Sequence, residues 1–224
     1  MLVRVERLDG TVQVARVTPG APSFVVEASP TAVEVAATYS TIGVEHIVLG
    51  IDHLLFVMAL LLVVQGWGRL VTTITAFTLV HSVTLVAATL GWVSVAQQPV
   101  EAVIALSIVF VAGEIVHVGQ GRASVTRRWP WIVAFVFGLL HGLGFAGALQ
   151  EIGLPEQSMP LALLLFNVGV ELGQLVFVGA ALVTMRLLSR CPVRWPLWVK
   201  QLPAYGIGTV AVYWVLERTA SFWS

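Results

Sequence analysis

Glu45, His46, Asp52 and His53 stand in a stretch that is otherwise apolar and runs directly into Val57-Met58-Ala59-Leu60-Leu61-Leu62-Val63-Val64. Imidazoles and carboxylates are the side chains that move protons or hold transition-metal ions. In an apolar segment they are costly, because a charge at mid-membrane costs roughly 2.5–3.5 kcal/mol on insertion scales. Three further apolar stretches carry such groups of their own: one has His81, one has His141, and one has Glu171 with Asn167 and Gln174 on the same helical face. At a rise of about 1.5 Å per residue, the midpoints of these stretches fall near Leu54, His81, His141 and Glu171, within about 5 Å of one plane. Four segments therefore bring metal-competent or titratable groups to one depth, as a shared polar site requires.

Charge narrows the chemistry. Asp52, Glu114 and Glu171 lie inside apolar stretches, and no Lys or Arg lies deep inside any of them. Deep acids without deep bases must be protonated, hydrogen-bonded or neutralised by a cation that is not part of the chain. The imidazoles at the same depth supply the nitrogen ligands that a divalent transition metal takes. The candidate central site is thus Asp52, His53, His81, His141 and Glu171, supported by Asn167 and Gln174.

Spacing then separates His46 from that centre. His46 and His53 are seven residues apart, so on a regular helix they share a face but lie roughly 10 Å apart along the axis. They cannot both bind one ion there. The expectation is two stations on a path, an outer one with Glu45 and His46 and a central one with Asp52 and His53. Gly43 and Gly50 would permit a break that changes these distances.

Other polar and small residues have plainer readings. Glu114 and His117 form a Glu-x-x-His pair, but the second pair that would complete a di-iron site is absent. A hydrogen bond to a neighbouring helix explains them equally well. Glu101, beside Pro99, reads as either an interfacial charge or a site residue. Gly138 with Gly142 and Gly169 with Gly173 are small-xxx-small pairs suited to helix packing. The methionines are scattered, so no thioether ladder for Cu(I) is present. The single cysteine, Cys191, excludes an internal disulfide and, between Arg190 and Arg194, reads as an inert interfacial thiol.

The elements that must position these groups follow from composition. Of 224 residues, 58% are hydrophobic and only 11% charged, and the mean hydropathy is +0.91. Soluble domains are nearer half apolar and a quarter charged, so the chain reads as an all-α integral membrane protein. Apolar windows near 42–65, 69–91, 99–120, 130–150, 159–187 and 196–217 predict a bundle of six transmembrane helices. Trp67, Trp92, Trp129, Trp131, Trp195, Trp198 and Trp214 fall near the window ends, as interfacial belts do. The connections with Arg69, with Arg122, Arg127 and Arg128, and with Arg186, Arg190, Arg194 and Lys200 are basic, which places them in the cytoplasm and both termini outside. Net charge is zero, so nothing points to nucleic acid. Residues 1–40 differ from the transmembrane domain, 41–224. Val3–Arg7 and Thr11–Val17 alternate apolar and polar around Asp9-Gly10, which predicts a short extracytoplasmic β-hairpin, with 24–27 as a third strand. The spacing from Phe77 to His81 and from Phe137 to His141 hints at two three-helix halves of opposite topology, an arrangement of transporters.

The motifs in these windows resemble those of the HupE/UreJ family, the hydrogenase and urease accessory membrane proteins. The likeness runs through His46-x5-Asp52-His53-Leu54-Leu55-Phe56, then Thr75–Leu85 around His81. It continues in Val100-Glu101-Ala102, Phe137-Gly138-Leu139-Leu140-His141-Gly142, and Phe166-Asn167-Val168-Gly169-Val170-Glu171. The resemblance implies a secondary permease for nickel in the bacterial inner membrane, supplying Ni-enzyme maturation proteins. By motif match His46, Asp52, His53, Glu101, His141 and Glu171 inherit functional roles, and His81 also matches. His117 matches nothing. The family also implies a larger extracytoplasmic domain, of which residues 1–40 would be a truncated end.

Three functions compete on the residues themselves. A permease would take a divalent ion as substrate, with nickel first and cobalt or zinc also suited to nitrogen and oxygen ligands. It would need no catalytic residue, and a homo-oligomer in the bilayer is compatible with it. An intramembrane metallohydrolase would use the histidines around zinc, with Glu171 or Asp52 as base, although no HExxH motif occurs. A non-transporting assembly partner would use the polar cluster only as structure.

Overall fold

The computed structural model describes residues 2–6, 12–16, 31–152, 158–190, 196 and 199–223. Near the N-terminus β1 (Leu2–Glu6) pairs antiparallel with β2 (Val12–Arg16), with Leu2 opposite Arg16 and Glu6 opposite Val12. Asp9-Gly10 and the expected third strand at 24–27 lie outside the described residues.

Helix α1 (Ala32–Leu49) starts at a reciprocal cap: Thr31 Oγ1 accepts from Glu34 N, and Glu34 Oε2 accepts from Thr31 N at 2.8 Å. Residues 32–40, assigned above to the strand-like segment, are therefore the first turns of a helix. The Thr-x-x-Glu pattern outweighs the alternation before it. The chain continues as α2 (Ile51–Val63), α3 (Trp67–Thr89), α4 (Gln97–Gly119), the single turn α5 (Val125–Arg128), α6 (Pro130–Ile152), α7 (Met159–Ser189) and α8 (Leu202–Ala220). Among the described residues three helices, α3, α4 and α7, are long and apolar enough to cross a bilayer, and the bent α1–α2 pair makes a fourth if counted as one. The six windows do not all reach that standard. α8, for one, carries Glu217 and Arg218 in its last turn.

The molecule is apolar on its outside as well as its inside. Leu79, Val83, Leu164, Leu172 and Val176 are each more than half exposed, while Phe56, Phe77, Phe166 and Ile108 are fully buried. A large apolar exterior on a helical bundle is a lipid-facing surface.

Three helix pairs dominate the packing: α3 with α6, α1 with α7, and α4 with α8. Two of these are backbone-to-backbone contacts that only glycine permits. A Cβ at Gly142 would collide with Thr84 Oγ1 and the carbonyl oxygen of His81, and one at Gly138 would lie 2.7 Å from the Phe77 carbonyl. A Cβ at Gly43 would collide with the Phe166 carbonyl, and one at Gly169 with that of Ser40. Without a hydrophobic force between helices in lipid, such close approach is what holds them. The pairing maps onto itself when α1–α2 is exchanged with α6, α3 with α7, and α4 with α8. Gly43-x-x-His46 and Gly138-x-x-His141 then correspond. That is the relation of two three-helix halves, although it matches α1 to α6 rather than the α3 and α6 segments compared above.

Lengthening Gly169 tests this packing. Gly169→Val is expected to lower the thermal unfolding midpoint of the detergent-solubilised chain, at a cost of about 1–3 kcal/mol. Gly113→Ala, with nothing within 4 Å of the new Cβ, leaves the midpoint in place or raises it. Equal midpoints for Gly169→Val and wild type would contradict the contact.

Candidate metal centre

The site is built on a broken helix. At Gly50 (φ −77°, ψ 83°) α1 ends and α2 begins, and the two axes are bent by 72°. Gly50 N still donates to the His46 carbonyl at 2.9 Å, so the break is tight. A Cβ at Gly50 would lie 2.6 Å from His46 O and 3.0 Å from His53 Nδ1, so the bend and the ring position both depend on its absence. Asp52 sits in the first turn of α2, where a half-helix N-terminus favours an anion.

The break folds the seven-residue interval back on itself. The rings of His46 and His53 stand 4.7 Å apart between centroids, and each is about 6 Å from His81. Ligand nitrogens of His46, His53 and His81 all lie within 4.8 Å of one another. The two-station reading is therefore corrected: His46 belongs to the central cluster, because α1–α2 is not a continuous helix. Nitrogens around a tetrahedral ion lie about 3.4 Å apart at bonds of about 2.1 Å. Closing over an ion thus draws the rings together by about 1.4 Å at most.

Unpartnered ring nitrogens make the cluster a candidate ligand set. His46 Nε2, His53 Nε2, both nitrogens of His81 and His141 Nδ1 are buried without a hydrogen-bond partner of good geometry among the described residues. Each such group left unsatisfied costs about 1–3 kcal/mol, so five in one place need a common explanation. Neighbours orient two of the rings. Asp52 Oδ1 lies 3.0 Å from His53 Nδ1 and accepts from His53 N at 2.8 Å. An ionised carboxylate only accepts, so Nδ1 carries the proton and Nε2 is left as ligand, the carboxylate–histidine pairing of metal sites. Ser107 Oγ donates to Ile104 O at 2.6 Å and lies 3.3 Å from His141 Nε2. The serine proton is committed, so His141 Nε2 donates to it and Nδ1 is free. His141 stands 4.9 Å from His53 between centroids, nearer than His81 at 6.0 Å, and flanks the His46–His53–His81 group. Phe145 and Phe166 pack on His46, and Phe56 and Phe77 pack on His141, forming a dry shell around the polar atoms.

The remaining candidates fall around this centre. Asp52 Oδ2 faces Arg218 Nη2 of α8 at 3.8 Å. The cation expected from outside the chain is thus partly supplied from within it, at the end of a helix whose window was closed one residue short. On α7, Glu171 Oε1 accepts from Thr75 Oγ1 at 2.7 Å and Gln174 Oε1 accepts from Thr78 Oγ1 at 3.0 Å, while Glu171 Oε2 is buried without a partner among the described residues and the Asn167 side chain reaches the His81 ring. These groups line the face of α3 that carries His81 one turn on. Glu101 accepts from Gln97 Nε2 at 2.9 Å near the start of α4, and Glu45 is exposed. Glu114 is elsewhere: its Oε2 accepts from Ser124 Oγ at 2.7 Å and Thr126 N at 2.8 Å, which ties the α4–α5 connection down. Thr75, Thr78, Ser107 and Arg218 escaped the sequence reading, the first three because hydroxyls on apolar helices are common.

These features define a class: a multi-pass membrane protein with a polyhistidine site at a helix break. The chain belongs to the HupE / UreJ protein family, whose profile matches residues 22–218. No curated protein and no solved structure matches the chain.

Gly50→Val tests the break. It is expected to separate His46 from His53 and weaken Ni²⁺ binding about 10- to 100-fold, the range seen when groups orienting metal ligands are lost. Titration calorimetry reads this directly, and unchanged affinity would contradict a ligand set assembled by the bend.

Proposed function

We propose that the chain is a secondary permease for a divalent transition-metal ion, with nickel the first candidate and cobalt and zinc also suited to the donors. The observation that carries this reading is the cluster of partnerless imidazole nitrogens from His46, His53 and His81, gathered at the break between α1 and α2. In this reading α1–α2 is one broken crossing, and α3, α4, α6, α7 and α8 bring the total to six. Basic connections face the cytoplasm and both termini face outward. Discontinuous helices at mid-membrane are where transporters bind ions.

The residues divide the work. Glu45 and Glu101 raise the local cation concentration on the outer side. His46, His53 and His81 replace the hydration shell of the ion. Asp52 holds the His53 ring and adds negative charge, and His141, oriented by Ser107, is the next nitrogen along. Glu171, Asn167 and Gln174 supply oxygen donors on the far side. Closing and opening at Gly50 exposes the centre alternately, and the released ion passes to Ni-enzyme maturation proteins.

Three imidazoles would also hold a resident catalytic zinc, so the test must separate the two. In proteoliposomes, Ni²⁺ uptake by wild type is expected to exceed that of the Asp52→Asn, His53→Ala double variant by about tenfold or more. Equal uptake would sink the permease. Stoichiometric zinc that survives chelation would favour the enzyme.

A further inference from the structure

Arg218 is positioned by contacts other than its ion pair. Its Nη1 donates to the Glu101 carbonyl at 2.7 Å, and its guanidinium carbon lies 5.5 Å from the ring centroid of Trp214, one turn back on α8. Nη2 lies 3.8 Å from Asp52 Oδ2. Charge-assisted hydrogen bonds run about 2.7–2.9 Å, so Arg218 compensates the carboxylate without being bonded to it. Both side chains are 21% exposed, which leaves their charges less screened than at an open surface.

Asp52 therefore works on two fronts. Oδ1 is taken by the backbone and ring of His53, and Oδ2 faces the cation of α8. With imidazoles in their neutral ligand form, the Asp52⁻–Arg218⁺ pair beside the empty nitrogens is balanced. A divalent ion beside the pair brings the three to a net charge of two. Without Arg218, Asp52 alone is at minus one when empty and at plus one together with the ion. The arginine thus favours the empty state over the loaded state, and it does so from a fixed mount on α4 and α8.

We propose that Arg218 is a tethered cation that stands in for the metal at Asp52 and holds the affinity of the His46–His53–His81 centre low enough for the ion to leave. This rests on the permease reading and adds a positioning residue to it. A carrier must bind its ion tightly enough to strip water and weakly enough to release it, and a guanidinium contributes a charge that does not itself vary with pH.

The sign of the effect separates this role from a structural one, since damage to the fold weakens binding whereas loss of a competing charge strengthens it. The experiment titrates the purified full chain with Ni²⁺ by calorimetry and follows release into excess chelator. Arg218→Gln keeps a donor for the Glu101 carbonyl and removes the charge. Its dissociation constant is expected to fall about tenfold, as expected for a unit charge removed within partly shielded range of a divalent ion. Release should slow to match, and Arg218→Lys should stay near wild type. Arg218→Met is the second uncharged variant should Arg218→Gln fail to fold. Unchanged or weaker binding in the uncharged variants, with wild type binding Ni²⁺, overturns the proposal and leaves the permease standing. No Ni²⁺ binding by wild type or variants overturns both.

Discussion

The structure turns on one geometric constraint: nitrogens spaced seven residues apart on one segment meet only if the helix between them is broken. A continuous helix would hold His46 and His53 roughly 10 Å apart, each a separate polar liability in an apolar interior. The 72° bend at Gly50 brings their rings to 4.7 Å and points both at His81. The break also ends α1 and begins α2 at the site, so backbone carbonyls of one half-helix and the amide end of the other converge there. Asp52 uses that amide end, and its carboxylate in turn fixes the His53 ring.

The rest of the bundle holds this break in place. Glycines on α6 seat that helix on the backbone of α3 at Phe77 and His81, and His81 and His141 both reach the His53 ring. Glycines on α1 and α7 do the same on the other flank, where Gly43 meets Phe166 and Gly169 meets Ser40. Aromatic rings from α2, α3, α6 and α7 fill the space left around the imidazoles. Small residues give close approach and large ones give dryness, and a metal site tuned by its surroundings needs both.

Depth was the part of the site most legible in the sequence. Helix rise alone put His53, His81, His141 and Glu171 near one plane, because distance along an axis is nearly independent of packing. Direction was less legible. On a regular helix His46 falls at a separate outer station, and only the break at Gly50 brings it to His53. Arg218 was overlooked because it lies just past the last apolar window, and the reach of a long side chain back into the bundle is not a property of its position. Glu114 looked as chemical as Asp52 in sequence. What distinguishes them is partners: Glu114 is saturated by Ser124 and Thr126, whereas Asp52 buttresses a ring with a free nitrogen. The start of α1 at Ala32 was present in Thr31-x-x-Glu34 but was masked by the strand-like pattern before it.

The central claim is that one ion takes nitrogens from both sides of the break. An anomalous-scattering map of the nickel-soaked protein measures this directly. The account predicts a single peak within about 2.0–2.2 Å of a nitrogen from each of His46, His53 and His81. A peak coordinated by His53 and His141 without His46, or two peaks separated by the roughly 10 Å of a continuous helix, would contradict it.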